Sequence, residues 1–213
     1  MQKKVKIIYE DKDLLVIDKP AGINSDDFPK RIHRLDKNTS GILLIAKSDK
    51  SLIFFQNQFK TKEVEKKYLA LVFGNLKTNE GKIETLIGRS RKDRRKQKVY
   101  LFNEPEAKGK REAITEYKVI TRFDNSTLVE ITPRTGRKHQ IRCHFAYLNH
   151  PIMGDKLYGF KNQPHIKELK RQFLHAYYLK IKMPNGETKE FKSELPTDLK
   201  ICLQNQKPLI NHS

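Results

Sequence analysis

A histidine, an arginine and a carboxylate stand together in His33-Arg34-Leu35-Asp36, and Thr39-Ser40-Gly41 follows directly before an apolar run at residues 42–46. A carboxylate beside an arginine at the edge of a strand can be held ionised, because the cation favours the charged form. Asp36 is therefore a candidate for chemistry that needs a permanently negative group. The same spacing also fits a structural ion pair followed by an ordinary turn.

A second group of polar side chains occupies residues 134–144, just before and within a helix predicted over 138–148. Arginines and a Thr-Gly pair ahead of a helix are typical of a phosphate-binding site. An amphipathic helix with a solvated polar face has the same pattern. The candidate RNA contacts in this group are Arg134, Arg137, His139 and Gln140.

Helical spacing places His139 and Arg142 on one flank of this helix and Gln140 and His144 on the other, with an apolar stripe between them. A metal site built from the histidines of this region would lack a carboxylate or cysteine partner at ligand spacing. The pattern therefore favours a helix without a bound metal.

Seven lysines and arginines crowd residues 88–98, and Asp93 is the single acidic residue among them. Such a run repels itself and is relaxed by phosphates, which release their own counterions on binding. A solvated surface loop has the same composition. The candidate RNA contacts in this basic loop are Arg89, Arg91, Arg94, Arg95 and Lys96.

These groups need a scaffold, and the hydrophobic periodicity predicts one that is rich in strands. Strands are predicted over 5–9, 13–19, 42–46, 67–73, 82–86, 113–123, 127–132, 173–183 and 188–192, and helices over 50–61, 138–148 and 196–203. Residues 88–98 are predicted to be loop throughout. The result is an α+β fold on a mainly antiparallel sheet, in one domain over residues 1–213 whose end, 204–213, is expected to fray.

The chain of 213 residues carries 44 Lys and Arg against 25 Asp and Glu, a net charge of +19. That excess indicates a polyanionic partner, most often nucleic acid. No apolar run approaches the ~20 residues of a membrane helix, and the start lacks the apolar stretch of a secretory signal. Cys143 and Cys202 form neither a disulfide framework nor a metal pattern. We therefore expect a cytoplasmic, monomeric protein that binds RNA.

Five ordered motifs resemble the RluA-type family of RNA pseudouridine synthases over residues 5–195. They are Asp18-Lys19-Pro20-Ala21-Gly22, the 33–41 segment, Lys67-Tyr68-x-Ala70-x-Val72-x-Gly74, the 134–144 segment with its continuation through Asp155 and Tyr158-Gly159, and Leu174-His175-Ala176. The resemblance implies a mixed, mainly antiparallel β-sheet with flanking helices and loops around a central RNA-binding cleft. It also implies isomerisation of uridine to pseudouridine without a metal or organic cofactor.

The resemblance also implies roles for individual residues. Asp36 matches the catalytic aspartate, which either attacks C1′ of the target nucleotide or removes its C2′ proton. Tyr68 matches the tyrosine that stacks on uracil and is a candidate base for the C5 proton. Arg142 matches the arginine that pairs with the aspartate. Arg34 matches the residue that fills the stack when the uridine is flipped out, and His33 beside it is a further candidate RNA contact.

Three functions remain open at this point. The first is a pseudouridine synthase acting on ribosomal or transfer RNA. A non-catalytic RNA-binding or ribosome-assembly factor of the same fold explains the charge equally well, but leaves Asp36, Tyr68 and Arg142 unexplained. A base-excising glycosidase that uses Asp36 would lower the mass of the RNA, whereas isomerisation leaves it unchanged.

Two departures from the family pattern concern the choice of substrate. Only residues 23–30 lie between the Gly22 turn and Arg31, where many relatives have a longer segment, and there is no room before residue 5 for a small amino-terminal RNA-binding domain. The basic loop is therefore expected to carry more of the RNA contact than in other members.

Overall fold

The computed structural model describes residues 5–160, 166 and 169–209. In chain order its elements are β1 (Lys6–Glu10), β2 (Leu14–Lys19), β3 (Ser40–Ala46), α1 (Asp49–Lys60), β4 (Glu65–Phe73), β5 (Glu80–Arg89), β6 (Gln97–Tyr100), β7 (Arg111–Phe123), β8 (Ser126–Pro133), α2 (Gln140–Tyr147), β9 (Leu174–Lys182), β10 (Thr188–Lys192) and α3 (Thr197–Gln204). Strands dominate and most of their pairings are antiparallel, which confirms the predicted α+β class. No helix in the described part of the chain has the length and apolar character needed to span a bilayer.

Contacts divide the chain into two compact units. The first contains residues 1–68 and 174–196, and the second contains residues 69–173 and 197–213. Strand β4 begins in the first unit and ends in the second. The expectation of a single domain stays a prediction.

In the first unit the strands follow the order β1-β2-β3-β9, and β10 pairs with β9. Strand β3 is buried along its whole length, because α1 packs Phe55 into the same core as the side chains of β2 and β3. Strands β3 and β9 run parallel and come very close at Gly41 and Ala176. Gly41 has a φ of +117°, and a Cβ there would lie 2.2 Å from the Ala176 carbonyl oxygen. Only glycine fits at that position, which explains why the 33–41 segment ends in Thr-Ser-Gly.

In the second unit the order is β4-β8-β7-β5-β6. The prediction that residues 88–98 are all loop is wrong, because β5 continues to Arg89 and pairs with a further strand, β6. The loop itself is residues 90–96. Strand β6 has only four residues and two of them are polar or charged, so its sequence lacks the apolar alternation from which strands are predicted.

The end of the chain is more ordered than the sequence suggested. After α3, the Lys207 carbonyl accepts a hydrogen bond from the Asp124 N–H at 3.1 Å, and the Leu209 N–H donates to the Arg122 carbonyl at 3.4 Å. The described part of the segment expected to fray is thus hydrogen-bonded to the end of β7 and to the turn that follows it. Residues 210–213 lie outside the described residues.

Candidate active site

The backbone immediately before Asp36 is held by Ser25, which begins a short 3₁₀ turn over Ser25–Asp27. The Ser25 hydroxyl donates to the Leu35 carbonyl oxygen at 2.9 Å and accepts from the Leu35 N–H at 3.0 Å. Both groups are buried. One hydroxyl therefore satisfies both polar backbone groups of the residue that precedes Asp36.

The backbone after Asp36 is held by the end of β2. The Lys37 carbonyl accepts from the Gly22 N–H at 2.8 Å and from Lys19 Nζ at 3.2 Å. Lys19 is completely buried, and its Nζ also donates to the carbonyls of Pro20 and Ile23 at 3.0 and 2.9 Å. A buried ammonium needs such acceptors, because it has lost its hydration. The Lys-Pro-Ala-Gly motif thus positions the loop that carries Asp36.

A buried histidine holds the start of β3. His175 Nδ1 lies 2.9 Å from Ser40 Oγ, and its Nε2 lies 3.2 Å from the Ser193 carbonyl oxygen. A carbonyl can only accept, so Nε2 carries the proton and the Ser40 hydroxyl donates to Nδ1. The late motif Leu174-His175-Ala176 therefore supports the end of the Asp36 loop.

His33, which the sequence offered as an RNA contact, is bound to the protein on two sides. Its Nε2 accepts the Leu44 N–H at 3.1 Å, and its ring stacks on Phe59 with the ring centroids 4.8 Å apart. Burial, and then the charge of Lys66, lower the pKa of His33 to about 3. At neutral pH the ring is uncharged and anchors the loop to β3, and the assignment of His33 to RNA stays a prediction.

Tyr68 lies on β4, in the same unit as Asp36. Both side chains are half-buried. Burial raises the pKa of Tyr68 well above its usual range, and the negative charge of Asp36 raises it further. The hydroxyl therefore keeps its proton at neutral pH. Arg34, in contrast, is exposed to solvent.

Lys66 is a residue of this region that the sequence analysis missed. It lies two residues before Tyr68, and alternate residues of a strand point to the same face. Its Nζ is 5.6 Å from the centroid of the Phe59 ring, and burial lowers its pKa to about 8. The only signal in the sequence was a lysine two positions before the matched tyrosine.

Arg142, in the second unit, forms a buried ion pair with Asp155. Its Nε and Nη2 lie 2.6 and 2.9 Å from the two carboxylate oxygens. The same carboxylate accepts the N–H groups of Leu157 and Tyr158 at 2.9 and 3.1 Å. This bidentate geometry fixes the plane of the guanidinium. The pairing of Arg142 with Asp36 stays a prediction.

Tyr158 connects this ion pair to the basic loop. Its ring lies 5.1 Å from the Arg142 guanidinium carbon, and its hydroxyl accepts the Gln97 N–H at 2.7 Å. The hydroxyl also lies 3.1 Å from His139 Nδ1. His139 and Arg142 therefore both contact one tyrosine, but His139 precedes α2 with a left-handed backbone (φ +54°), so the helix predicted from residue 138 begins only at Gln140.

Gln140 and His144 belong to an internal polar network, and the assignment of Gln140 to RNA stays a prediction. The buried Gln140 amide nitrogen donates to Thr115 Oγ1 at 2.9 Å, and its oxygen accepts from Thr135 Oγ1 at 2.8 Å. His144 is also buried, with Nδ1 and Nε2 at 2.8 and 3.1 Å from Thr115 and Thr85 Oγ1. Burial lowers the pKa of His144 to about 4.

Metal-ligand geometry is not found in the part of the chain that the structure describes, where no three His, Cys, Asp or Glu side chains come together to hold an ion. Both ring nitrogens of His144 are already engaged by threonines. His150 Nδ1 contacts the Phe73 carbonyl oxygen at 2.8 Å. The histidines near α2 therefore serve the protein's own hydrogen bonding.

The basic loop is partly neutralised by two carboxylates, Asp93 within the loop and Glu106 beyond β6. Arg95 forms a bidentate pair with Asp93, at 3.0 and 2.8 Å, and Arg91 lies 3.0 Å from Glu106. The hydrogen bonds from Arg95 lower the pKa of Asp93 to about 2. Over the described ranges no carboxylate pairs with the exposed side chains of Arg89, Lys92 and Arg94, and Lys96 lies over the Tyr158 ring at 5.9 Å.

Two candidate RNA contacts before α2 are also engaged by the protein. The exposed Arg134 donates through Nε and Nη2 to Glu116 at 3.0 and 2.8 Å, and Arg137 Nε donates to the Glu112 carbonyl oxygen at 2.8 Å. Both guanidinium groups keep further N–H donors, since each has five in all. Their assignment to RNA stays a prediction.

Comparisons with known proteins place this chain among RNA pseudouridine synthases. A family described as RNA pseudouridylate synthase matches residues 26–147. Ribosomal large subunit pseudouridine synthase D of Borreliella burgdorferi is 36% identical, over 94% of this chain and 68% of the relative. Uncharacterized RNA pseudouridine synthase YlyB of Bacillus subtilis is 35% identical, over 93% of this chain and 72% of the relative. The solved structure of Human RNA Pseudouridylate Synthase Domain Containing 1 is similar with a TM-score of 0.81 and 28% identity, covering 96% of this chain and 89% of that chain.

The buried neutral His144 predicts a pH dependence of stability. Its pKa is lower in the folded state than the ordinary 6.5, so between pH 6.5 and 4 the unfolded chain binds a proton that the folded chain does not. The unfolding free energy should therefore fall with acidification, by at most about 1.4 kcal/mol per pH unit from this group. Urea titrations at pH 7, 6 and 5 give the unfolding free energy at each pH. This free energy should change less with pH for His144→Gln than for the parent.

A control variant separates titration from loss of packing. Thr85→Val removes the hydroxyl beside His144 Nε2 but leaves the imidazole, so it should lower stability at every pH and keep most of the slope. Equal slopes in His144→Gln and the parent would contradict the assignment.

Proposed function

This chain belongs to the RNA pseudouridylate synthase family and is an isomerase acting on RNA; from that premise we propose that it converts specific uridines of ribosomal RNA by chemistry centred on Asp36. The relative from Borreliella burgdorferi is named for the large ribosomal subunit, which supports ribosomal RNA over transfer RNA. The observation that supports the proposal is the Asp36 loop, whose backbone is held on both sides by Ser25 and Lys19, in the same unit as Tyr68 of β4, whose pKa the charge of Asp36 raises.

The proposed reaction begins at the bond between N1 of uracil and C1′ of the ribose. As this bond breaks, positive charge develops on the sugar and the electron pair leaves with the uracil. The carboxylate of Asp36 either bonds to C1′ or removes the proton from C2′, and both steps use its negative charge. The uracil then turns and its C5 bonds to C1′, while the Asp36–C1′ bond breaks or, on the other route, the C2′ proton returns from Asp36. C5 then loses its proton and N1 takes one up. The atoms of the RNA are conserved, apart from this exchangeable proton.

Tyr68 offers the uracil a flat aromatic face beside Asp36. Burial and the charge of Asp36 raise the pKa of Tyr68 and keep the phenol protonated. Tyr68 can therefore act as the base for the C5 proton only if it gives up its own hydroxyl proton. The hydroxyl proton must leave as the C5 proton arrives, and the Asp36 carboxylate is a basic group close enough to influence it. Stacking alone would need only the ring.

Arg142 is proposed to stabilise the negative charge of Asp36. Asp155 binds the Nε and Nη2 edge of the guanidinium and so fixes its orientation. A guanidinium that is already fixed by a bidentate partner and by the Tyr158 ring can orient a second carboxylate with little further loss of entropy.

Asp36→Asn tests the proposal directly. The change keeps the size and polarity of the side chain but removes the charge, so the protein should fold and bind RNA while pseudouridine formation falls below detection. Release of tritium from RNA labelled at uracil C5, together with the mass of the product RNA, measures the reaction.

The matched control is Asp49→Asn, an exposed aspartate at the start of α1, which should retain parental turnover. Parental turnover in Asp36→Asn would remove Asp36 from the mechanism and revive the assembly-factor function. Free uracil and a lighter RNA would instead identify a glycosidase.

Tyr68→Phe separates stacking from proton transfer. The ring remains and the hydroxyl is lost, so RNA affinity should hold while single-turnover product formation drops by about 10²-fold or more if the hydroxyl takes the C5 proton. An unchanged rate would leave Tyr68 as a stacking residue.

Arg34→Ala tests base flipping. Extruding a uridine from a stacked stem costs a few kcal/mol, and a flat, charged guanidinium can fill the vacated space. The variant should therefore lose much more activity on a stem-loop than on an RNA whose target uridine is already unstacked. Single-turnover rates are measured for the parent and for Arg34→Ala on both RNAs. An equal loss of rate on the two RNAs would mean that Arg34 acts through Asp36 instead.

A further inference from the structure

An aromatic side chain stands out in solvent on a tight turn after β6. Phe102 is 59% exposed and the preceding Leu101 is 41% exposed. Burial of a phenylalanine side chain stabilises a fold, so an exposed Phe102 leaves that stabilisation unused. The turn of residues 101–104 is called the Phe102 turn below.

The Phe102 turn is held in one conformation. The Glu104 N–H donates to the Leu101 carbonyl at 3.1 Å, and the Glu104 carboxylate accepts the Leu101 N–H at 3.1 Å. A 3₁₀ turn over Pro105–Ala107 follows directly, with proline at its first position. Phe102 is thus presented from a rigid base, which lowers the entropy lost when it binds a flat ligand.

Cations surround the base of this turn. The ammonium groups of Lys98 and Lys110 lie 4.7 and 5.0 Å from the centre of the buried Tyr100 ring, two residues before Phe102. Lys108 is exposed, and Arg91 extends from the basic loop to Glu106. These four cations outnumber the two carboxylates of the segment, of which Glu104 is used by the turn itself.

The Phe102 turn and the basic loop lie at opposite ends of β6, four residues or roughly 13 Å apart along the strand. A basic track with an aromatic side chain at one end is the combination that binds single-stranded RNA, in which bases stack on the ring and phosphates contact the cations. A second copy of this chain is a poor occupant, because each copy carries a net charge of +19.

We infer that the Phe102 turn, in the second unit, is a stacking site for an unpaired base of the substrate RNA. This inference rests on the proposed function, since it takes RNA as the substrate. The site selects single-stranded over duplex RNA, because only an unpaired base can place its face on the ring.

The absence of tryptophan in the chain makes a direct test possible. Phe102→Trp introduces one fluorophore at the proposed site, and Ile120→Trp introduces one on β7, where the native side chain is 49% exposed. A uridine-rich single-stranded 20-mer should quench the emission of Phe102→Trp, and a duplex of the same length should not. The Ile120→Trp emission should respond to neither RNA. Quenching that is the same in both variants, or the same with both RNAs, would overturn the inference.

Affinity gives the second measurement. Phe102→Ala should weaken binding of the single strand by about tenfold, in line with the loss of one stacked base, while duplex binding and the salt dependence remain parental. Ile120→Ala is the control and should match the parent. Because both side chains are exposed, the unfolding midpoints should also match the parent. Equal weakening on both RNAs, or none on either, would contradict a stacking role.

The outcome is separable from that of the proposed function. If the parent forms pseudouridine but Phe102→Ala binds single strands as the parent does, the stacking site is wrong and the enzyme assignment stands. If no tritium is released by the parent but the fluorescence and affinity results hold, the RNA surface stands and the proposed reaction fails.

Discussion

The position of the Asp36 carboxylate is set by the loop that carries it, and two buried side chains, Ser25 and Lys19, hold that loop. Ser25 satisfies both backbone groups of Leu35, and the Lys19 ammonium joins the Lys37 carbonyl to two carbonyls of its own turn. Lys19 has no access to water, so a shift of the loop would leave a buried charge without its acceptors, at a cost of about 1–3 kcal/mol or more. A carboxylate held in this way needs little reorganisation when charge develops on a substrate.

The histidines of the motifs contribute rigidity rather than charge. His33, His144 and His175 each accept or donate through a ring nitrogen to the protein, and burial lowers the pKa of the first two below the neutral range. A neutral imidazole joins a donor to an acceptor across a fixed distance, which suits the junction between a loop and a strand. In a chain with so many lysines and arginines, a neutral ring also adds no further repulsion.

In the second unit, Tyr158 and Asp155 have the corresponding role for Arg142. The carboxylate fixes one edge of the guanidinium and the ring covers its face, while the Tyr158 hydroxyl holds the start of β6. The basic loop therefore ends on the same side chain that orients Arg142. Asp93 pairs with Arg95 and Glu106 pairs with Arg91, so over the described residues the exposed unpaired charge of this segment lies mainly on Arg89, Lys92 and Arg94.

The sequence by itself determined the class of fold, most helices and strands, and the residues that match the family motifs, because periodicity and local motifs are properties of neighbouring residues. It predicted a helix over residues 138–148, of which α2 covers Gln140–Tyr147, while His139 lies before the helix in a left-handed conformation. Tertiary structure decided which flank is buried: Gln140 and His144 are internal because Thr115 and Thr85, far away in the chain, supply their hydrogen bonds. It also decided that β6 is a strand, since a short charged segment becomes one only when β5 offers it backbone partners. The exposure of Phe102 has the same origin, because an apolar residue is left in solvent only when the core is filled without it.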